Sequence, residues 1–221
     1  MFITLEGPDG AGKTTQAALL VARLRAEGRD VVPLREPGGT AVGEQIRALL
    51  LDPRHAELAP RTEMLLFAAS RAQLVAEVVA PALALGRVVV CERYVDASLA
   101  YQGVARGLGI DVVLAVNDAA TGGLRPDLTL LLDLDPETGL RRARTATGRA
   151  DAGGWAGGDR LEGETAAFHA RVREGFLALA RNEPQRIRVI DARKTVAEVE
   201  REITAAVDGV LRAQHRAGGS P

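Results

Sequence analysis

Five short and nearly uninterrupted apolar runs recur along the chain, and they predict β-strands. The runs cover residues 2–6, 31–34, 88–91, 128–132 and 187–190. Such runs are typical of a parallel sheet that is covered on both faces. Between them, apolar residues recur at intervals of three and four, which predicts helices over residues 13–26, 42–51, 62–85, 110–120, 136–144, 164–181 and 196–212. The alternation indicates an α/β fold of three layers, with a five-stranded parallel sheet flanked by helices.

The composition narrows the class of protein. The chain of 221 residues has 26% charged residues and a formal net charge of −1, so no overall basic field favours nucleic acid or a membrane surface as a partner. We find no apolar run as long as a membrane span and no basic leader with a cleavage site, so we expect a cytoplasmic protein. Cys91 lies inside an apolar run and the three histidines lack metal-ligand spacing, so neither residue type predicts a reactive site.

The stretch after the first predicted strand matches the pattern G-x-x-x-x-G-K-[ST] of a phosphate-binding loop. Its glycines let successive N–H groups turn into one concavity, and the following helix directs its dipole at an anion. We expect Lys13 to reach the β- and γ-phosphates of a nucleotide and the Thr14 hydroxyl to ligate Mg²⁺. The strand before and the helix after favour this interpretation over a glycine turn and indicate a P-loop NTPase-like fold. The predicted nucleotide-binding residues are Gly7, Pro8, Asp9, Gly10, Ala11, Gly12, Lys13, Thr14 and Thr15.

Charged residues follow the second and third predicted strands, at the edge where a parallel sheet binds ligands. Glu36 follows the second strand, and Glu92 and Arg93 follow the third. We expect Arg93 to bridge the phosphates of donor and acceptor and Glu92 to hold Mg²⁺. Phe67 and Arg71 lie one turn apart on a predicted helix, where the ring can stack on a base and the guanidinium can read an edge oxygen. For Phe67 alone, a place in the core is the competing interpretation.

Taken in order, these segments resemble the thymidylate kinase family over nearly the whole chain. The matching segments are Gly12-Lys13-Thr14-Thr15-Gln16, Arg35-Glu36-Pro37-Gly38-Gly39-Thr40, Phe67 with Arg71, Glu92-Arg93-Tyr94 to Ala100-Tyr101-Gln102-Gly103, Arg125-Pro126-Asp127 and Leu132-Asp133-Leu134-Asp135-Pro136. The resemblance implies transfer of the γ-phosphoryl group of ATP to dTMP, with Mg²⁺ as cofactor and a homodimer as the assembly. The phosphate loop carries no arginine, so the chain resembles the bacterial type in which a basic lid supplies the charge.

The resemblance also implies roles for individual residues of the acceptor site. Phe67 would stack on thymine, with Arg71 at the exocyclic oxygen of the base. Asp9 would approach the sugar 3′-hydroxyl, and Tyr101 would crowd the 2′-position and favour deoxyribose. The other implied substrate-binding residues are Arg47 and Arg93 at the monophosphate, Ser98 and Gln102 at the base, and Glu36.

A lid is implied over about residues 141–160, within one nucleoside monophosphate kinase domain of residues 1–215. Residues 216–221 are expected to form a flexible tail. The lid region offers five candidate phosphate contacts, which are Arg141, Arg142, Arg144, Arg149 and Arg160. The expected catalytic set is Lys13, Arg93, Arg149 and Arg160. The chain departs from the family in three places, namely Glu92 in place of aspartate, Ala97 in place of serine, and a glycine-rich insert around Trp155.

Two other functions stay open at this stage. A kinase for a different mononucleotide shares the phosphate machinery, and only the residues expected at the base and sugar favour dTMP. A GTP-dependent switch is the second alternative, because Asp151-Ala152-Gly153-Gly154 matches D-x-x-G. That segment follows no predicted strand, and the sequence has no N-K-x-D segment to read guanine. The kinase is therefore the favoured hypothesis.

Overall fold

The computed structural model describes residues 1–146 and 159–218. At its centre five parallel strands form a sheet in the order β2-β3-β1-β4-β5. The strands are β1 (Phe2–Glu6), β2 (Val31–Arg35), β3 (Val88–Glu92), β4 (Leu128–Asp133) and β5 (Ile187–Asp191). Helices pack on both faces of this sheet. The predicted α/β fold is confirmed.

Helical segments connect the strands. They are α1 (Lys13–Ala26), α2 (Ala41–Leu51), α3 (Pro60–Leu74), α4 (Ala80–Ala84), α5 (Val95–Ser98), α6 (Ile110–Thr121), α7 (Pro136–Ala146), α8 (Ala166–Asn182) and α9 (Val196–Gly218). A π-helical turn, Val75–Val79, joins α3 to α4, and a second one, Leu99–Ala105, continues α5. A short 3₁₀ turn, Pro53–His55, follows α2.

Successive side chains along each strand point to opposite faces of the sheet, and the core is therefore divided into two apolar layers. Ile3 and Leu5 of β1 face the layer that contains α1 and α9, whereas Phe2 faces the layer that contains α3 and α8. Each layer removes apolar surface from water, which is the main stabilising contribution to folding. Because both faces are covered, the strands appear in the sequence as continuous apolar runs. The polar group of Thr4 is buried between strands and satisfied by the Thr129 hydroxyl at 2.8 Å.

The register of the sheet positions the segments that carry the candidate chemistry. Leu5 of β1 is level with Glu92 of β3, and Glu6 is level with Leu131 of β4. The loop after β1 and the turn after β3 therefore begin side by side at the carboxyl edge. Ligands bind at this edge in open parallel sheets.

The sequence pattern missed the helix over residues 95–105 and misplaced several helix ends by two residues or more. Residues 95–105 are helical, although no helix was predicted there. Nearly every residue of that segment is buried, so the apolar periodicity of a surface helix is absent. The predicted 62–85 helix begins at Pro60, a residue type that suits the first helical turn. Helix α9 continues to Gly218 instead of ending at residue 212, so residues 216–218 are helical and only 219–221 lie outside the described part.

The helical segment Pro60–Ala84 corrects one expectation. Its 25 residues reach the length and apolarity of a membrane span, with a mean hydropathy of 1.3 in its most apolar window, whereas the sequence analysis found no run of that kind. The same segment carries fully buried Glu63 and Arg71 and packs against α2 and α6. A core helix passes the same test of length and composition, so this one helix is weak evidence for a membrane span.

Candidate active site

A crevice at the carboxyl edge of the sheet brings most of the predicted site residues together. Its volume is about 580 Å³. The predicted residues that line it are Asp9, Gly10, Gly12, Lys13, Thr14, Thr15, Glu36, Arg47, Phe67, Arg71, Glu92, Arg93, Ser98, Tyr101 and Gln102. Gly7, Pro8 and Ala11 lie beneath this surface, where the backbone of the first two holds the Lys13 side chain and Ala11 packs into the core.

Positive backbone dihedrals shape the phosphate loop. The φ angles are 133° at Gly7, 73° at Gly10 and 88° at Gly12, a region that side chains other than glycine rarely adopt. A Cβ atom at Gly10 would lie 2.0 Å from the Gly139 carbonyl oxygen, whereas one at Gly12 would meet nothing within 4 Å. Helix α1 begins directly after Gly12, and no side chain among the described residues caps it. Its first N–H groups are therefore available to an anion.

Lys13 is buried at the floor of the crevice. Its ammonium group donates to the carbonyl oxygens of Gly7 at 3.1 Å and Pro8 at 2.8 Å, and it lies 3.9 Å from the Asp9 carboxylate. Burial, followed by the charge of Arg93, lowers the pKa of Lys13 to about 8. A phosphate on the loop would favour the charged amine and raise that pKa again.

Thr14 and Glu92 form an oxygen pair beside the loop. The Thr14 hydroxyl donates to Glu92 Oε2 at 2.7 Å. A hydroxyl and a carboxylate are hard oxygen ligands, and Mg²⁺ at kinase sites takes one or two carboxylates together with substrate phosphates and water. The pair therefore fits the cation that the sequence predicted. No cluster of three or more His, Cys, Asp or Glu side chains occurs among the described residues.

Arg93 is held over the loop in an unusual conformation. Its φ is 65°, a left-handed value that costs a non-glycine residue on the order of 1 kcal/mol. Its guanidinium donates to Asp9 Oδ1 at 2.6 Å and to the Gly7 carbonyl oxygen at 3.2 Å. The guanidinium carbon lies 5.1 Å from the centroid of the Tyr101 ring, and the Tyr101 hydroxyl donates to Asp9 Oδ2 at 3.2 Å. The result is a cation fixed between an aromatic ring and a carboxylate.

The positive charges of Arg93 and Lys13 keep the Asp9 carboxylate ionised. Burial acts to raise the pKa of Asp9, but Arg93 and Lys13 outweigh it and lower the pKa to about 2. Asp9 is thus an ionised acceptor at neutral pH, as a contact to a sugar hydroxyl requires.

Phe67 forms part of the apolar wall of the crevice. It belongs to a small apolar cluster with Leu50, Leu51 and Leu161, and it also lines the crevice. The ring is 9% exposed. Its place in the apolar cluster agrees with a core residue, and its place in the crevice wall leaves a face on which a base could stack. A ring packed from behind in this way presents a rigid platform to a flat ligand.

Arg71 makes more hydrogen bonds within the protein than the sequence indicated. Its guanidinium donates to Glu36 Oε2 at 2.7 Å from Nε, to Ser98 Oγ at 3.0 Å, to Asn117 Oδ1 and to the Tyr94 carbonyl oxygen at 2.9 Å. A second nitrogen lies 2.5 Å from the same Glu36 oxygen. Arg71 is only 1% exposed, so it forms a buried part of the wall of the crevice. The glutamate, serine and asparagine partners of Arg71 come from three separate segments of the chain, so spacing along the sequence did not indicate these contacts.

Arg47 and Gln102, which were also predicted for the acceptor site, line the same crevice. Arg47 lines the crevice and donates to the Pro37 carbonyl oxygen at 3.0 Å. The Gln102 amide nitrogen donates to Glu63 Oε1 at 2.7 Å. Glu63 was not singled out from the sequence, because an isolated glutamate in a helix is usually a solvated surface residue.

The structure places the arginines of the predicted lid in different positions relative to the crevice. Arg149 lies outside the described residues. Arg160 does not line the crevice, which differs from the expectation of a phosphate contact: its guanidinium lies 2.7 Å from buried Glu63 and donates to the Leu50 carbonyl oxygen at 2.8 Å. Arg142, a candidate that was not chosen, does line the crevice and donates to the Ala192 carbonyl oxygen at 2.9 Å. Arg142 lies near the middle of α7, and no sequence signal distinguished it from the neighbouring Arg141.

Three acidic residues near the site were missed from the sequence. Asp159 and Glu162 line the crevice next to Leu161. Burial, followed by the charge of Asp9, raises the pKa of Asp159. Glu6 is fully buried at the end of β1, where its Oε1 accepts the Tyr94 N–H at 2.7 Å. For Asp159 and Glu162, the signal in the sequence was the D-x-x-E spacing of a capping turn. For Glu6, it was an acidic residue at the end of an apolar strand.

Comparisons with known proteins agree with this geometry. A family model described as thymidylate kinase matches residues 5–203. The chain is 52% identical over 210 residues to a thymidylate kinase of Desulfosudis oleivorans, covering 95% of this chain and 97% of that protein. It is 54% identical over 207 residues to that of Deinococcus radiodurans, covering 94% and 96%. The crystal structure of thymidylate kinase from Ehrlichia chaffeensis matches with a TM-score of 0.73 at 31% identity, covering 94% of this chain and 98% of that one. The chain belongs to the thymidylate kinase family.

Proposed function

We propose that this protein transfers the γ-phosphoryl group of ATP to the 5′-phosphate of dTMP, giving dTDP and ADP for dTTP synthesis. The observation that carries the proposal is the position of Arg93, between the phosphate loop and a pocket walled by an aromatic ring. Such a cation neutralises the charge that keeps two phosphates apart. The kinase family assignment supports the same reaction.

The donor end is built for a polyphosphate. The N–H groups that begin α1 and the open face at Gly12 supply a concave anion site. In our proposal Lys13 leaves the Gly7 and Pro8 carbonyl oxygens and moves to the β- and γ-phosphates. Its pKa of about 8 rises on contact with the phosphates, so the amine is charged when the nucleotide is bound.

Thr14 and Glu92 are the residues that would hold Mg²⁺. When bound, the cation neutralises phosphate oxygens and orients them for transfer. Glu92 keeps its carboxylate at the carboxyl edge of β3, in the same crevice as the phosphate loop. Thr14 fixes the direction of that carboxylate through its 2.7 Å hydrogen bond.

At the acceptor end, Phe67 stacks on the thymine ring and Tyr101 packs against the sugar. Arg47 and Arg93 hold the monophosphate, and Asp9 accepts from the 3′-hydroxyl. Glu36, Ser98 and Gln102 complete the base end, where Glu36 and Ser98 act through the buried Arg71. This arrangement is supported by the common crevice that these side chains line.

No covalent intermediate on the protein is required. The attacking group is already an anionic phosphate oxygen, so the protein aligns it with the γ-phosphorus and stabilises the charge that develops on the transferring oxygens. Arg93 is well placed for this role because the Asp9 carboxylate and the Tyr101 ring fix its guanidinium before substrate arrives.

The lid completes the site in our proposal. Arg142 approaches the donor from the α7 side, near Ala192, and residue 149 contributes the arginine expected from the sequence. Arg160 acts as an anchor of the turn that follows the lid, through its contact with Glu63. Closure of a lid excludes water and so limits wasteful hydrolysis of ATP.

We also infer a single domain over residues 1–215, a homodimer and a cytoplasmic location, without nucleic acid or membrane as a partner. Family resemblance supports the dimer, and the net charge of −1 supports the absence of polyanionic partners. Sedimentation at several protein concentrations tests the dimer, and a monomer at micromolar concentration would contradict it.

The reaction is tested by ADP release with a panel of monophosphates. The expected result is a kcat/KM for dTMP at least about 100-fold above those for dCMP, dAMP and dGMP, because a site built around one base rejects the others by unpaired polar groups. A preference for dCMP or a ribonucleotide would favour the kinase for another mononucleotide. GTP hydrolysis without any acceptor would favour the switch, whose candidate segment, residues 151–154, lies outside the described residues.

A further inference from the structure

The amide of Gln102 is tied to a buried carboxylate behind the base end of the crevice. Gln102 lines the crevice beside Phe67 and Ser98, and it is 1% exposed. Its Nε2 donates to Glu63 Oε1 at 2.7 Å, and Glu63 is 0% exposed. This contact joins α3 to the π-helical turn Leu99–Ala105.

Glu63 stays ionised in this environment. Arg106 donates to it from two nitrogens at 3.2 and 3.0 Å, and a nitrogen of Arg160 lies 2.7 Å away. Burial acts to raise the pKa of Glu63, but the hydrogen bonds from Arg106 and Gln102 and the two positive charges outweigh it and lower the pKa. An ionised carboxylate accepts hydrogen bonds and donates none.

This chemistry determines which way the Gln102 amide points. Only the nitrogen of a primary amide can donate to a carboxylate, so the Glu63 contact fixes Nε2 on one side and the carbonyl oxygen Oε1 on the other. No donor to Gln102 Oε1 is found in residues 1–146 and 159–218. The other polar side chains that line the crevice here are Arg71, Glu36 and Ser98, and Arg71 directs its N–H groups to Glu36, Ser98, Asn117 and Tyr94. The carbonyl oxygen of Gln102 is therefore an acceptor that is available to the N–H group of a ligand.

We propose that Glu63 is a positioning residue that decides which pyrimidine this site accepts, by holding the Gln102 amide so that Oε1 faces the N3–H of thymine. Cytosine presents a lone pair at N3 instead of a proton, so two acceptors would meet and neither would be satisfied. An unpaired buried polar group of this kind supports strong discrimination between otherwise similar substrates. The inference rests on the proposed function, since it takes the base end of the crevice to hold the pyrimidine.

The test is the substitution Glu63→Gln, measured by steady-state ADP release with dTMP and with dCMP. The new amide can donate or accept, so the Gln102 amide is free to turn over. We expect the preference for dTMP over dCMP, as a ratio of kcat/KM values, to fall at least about tenfold. The change should appear mainly in the two KM values, because the phosphate machinery is untouched. A ratio equal to that of the unmodified protein overturns the proposal.

The matched control is Arg106→Gln, which removes a charge from the same cluster and leaves the contact between Glu63 and Gln102. Its dTMP to dCMP ratio should stay within about twofold of the unmodified protein. An equal fall in both variants would assign the effect to damage of the cluster and overturn the proposal. If Glu63→Gln fails to fold, Glu63→Asp keeps the charge for both arginines and draws the carboxylate back from Gln102, with the same expected direction.

A measurement on the unmodified protein needs no variant. In its complex with dTMP labelled with ¹⁵N at N3, the imino proton should exchange with water at least about tenfold more slowly than in free dTMP. Exchange as fast as in the free nucleotide overturns the proposal. Failure of the proposed function is separate and visible in the same assays, since the unmodified protein would then not phosphorylate dTMP.

Discussion

Thr14 and Glu92 are 78 residues apart in the chain, yet the Thr14 hydroxyl donates to Glu92 Oε2 at 2.7 Å. The relationship follows from the sheet, because Leu5 of β1 is level with Glu92 of β3. The loop after β1 then carries Thr14 into helix α1 directly above the end of β3. A hydroxyl and a carboxylate, which are the kinds of oxygen ligand that a hard cation takes, are thereby placed together beside the phosphate loop.

The substitution Glu92→Gln should raise the Mg²⁺ concentration for half-maximal activity by about tenfold, because the neutral amide binds the cation less strongly than a carboxylate does. Titration of activity with MgCl₂ at saturating ATP measures the effect. Glu92→Asp is the control, since it keeps the charge and should shift the midpoint less. An unchanged midpoint in Glu92→Gln would show that Glu92 does not hold the cation.

Replacing Lys13 by Ala should lower kcat by about 100- to 1,000-fold, the size expected when one preorganised charge contact to the transition state is lost. The fold should persist, because the polar contacts of the Lys13 amine within residues 1–146 and 159–218 are to two carbonyl oxygens of the loop and to the Asp9 carboxylate. The matched control is Lys194→Ala, which removes an exposed lysine paired with Glu202 and should leave kcat unchanged. Turnover in Lys13→Ala close to that of the unmodified protein would remove Lys13 from the mechanism.

The Tyr101 ring should control the choice of sugar. Tyr101→Ala is expected to reduce the preference for dTMP over its ribonucleotide counterpart by at least about tenfold in kcat/KM, because the ring that crowds the 2′-position is removed. Tyr101→Phe keeps the ring and loses only the hydroxyl contact to Asp9, so its preference should be retained. Equal sugar preferences in all three proteins would mean that the selection lies elsewhere.

Glu6 should make stability depend on pH in a predictable direction. Burial, followed by the charge of the nearby Asp96, raises the pKa of Glu6 to about 8 in the folded protein, from an ordinary value of 4.5. Between these values the folded state binds a proton that the unfolded state has released, so stability falls as pH rises from about 5 to 8. Below that window the effect is absent.

Glu6→Gln removes this titration and keeps an oxygen that can accept the Tyr94 N–H. Urea unfolding at pH 5 and pH 8 should therefore show a smaller decrease for Glu6→Gln than for the unmodified protein, by about 1–3 kcal/mol. The control Glu77→Gln changes an exposed carboxylate on the π-helical turn Val75–Val79 and should follow the unmodified protein. A Glu6→Gln variant with the same pH dependence as the unmodified protein would contradict the raised pKa.

Particular elements show where sequence patterns were sufficient. The predicted bounds of β1 and β4 agree with the structure to within one residue. Parallel strands that are covered on both faces are short continuous apolar runs, and such runs are easy to recognise in a sequence. The helix over residues 95–105 was not predicted, because it is buried on nearly all sides and has no polar face to set a period. The tertiary structure places Arg160 against Glu63 and Arg142 in the lining of the crevice, whereas Arg149 lies outside the described residues, and sequence spacing did not separate these arginines.

The sequence by itself determined the α/β alternation, the phosphate loop with Lys13 and Thr14, and the family, because each depends on residues that are close together or on their order along the chain. Only the tertiary structure decided which side chains meet. The pairing of Arg71 with Glu36, of Arg160 with Glu63 and of Gln102 with Glu63 joins residues 35, 97 and 39 positions apart. Local patterns do not encode such contacts, because they arise where separate elements bury polar groups together and each group must find a partner.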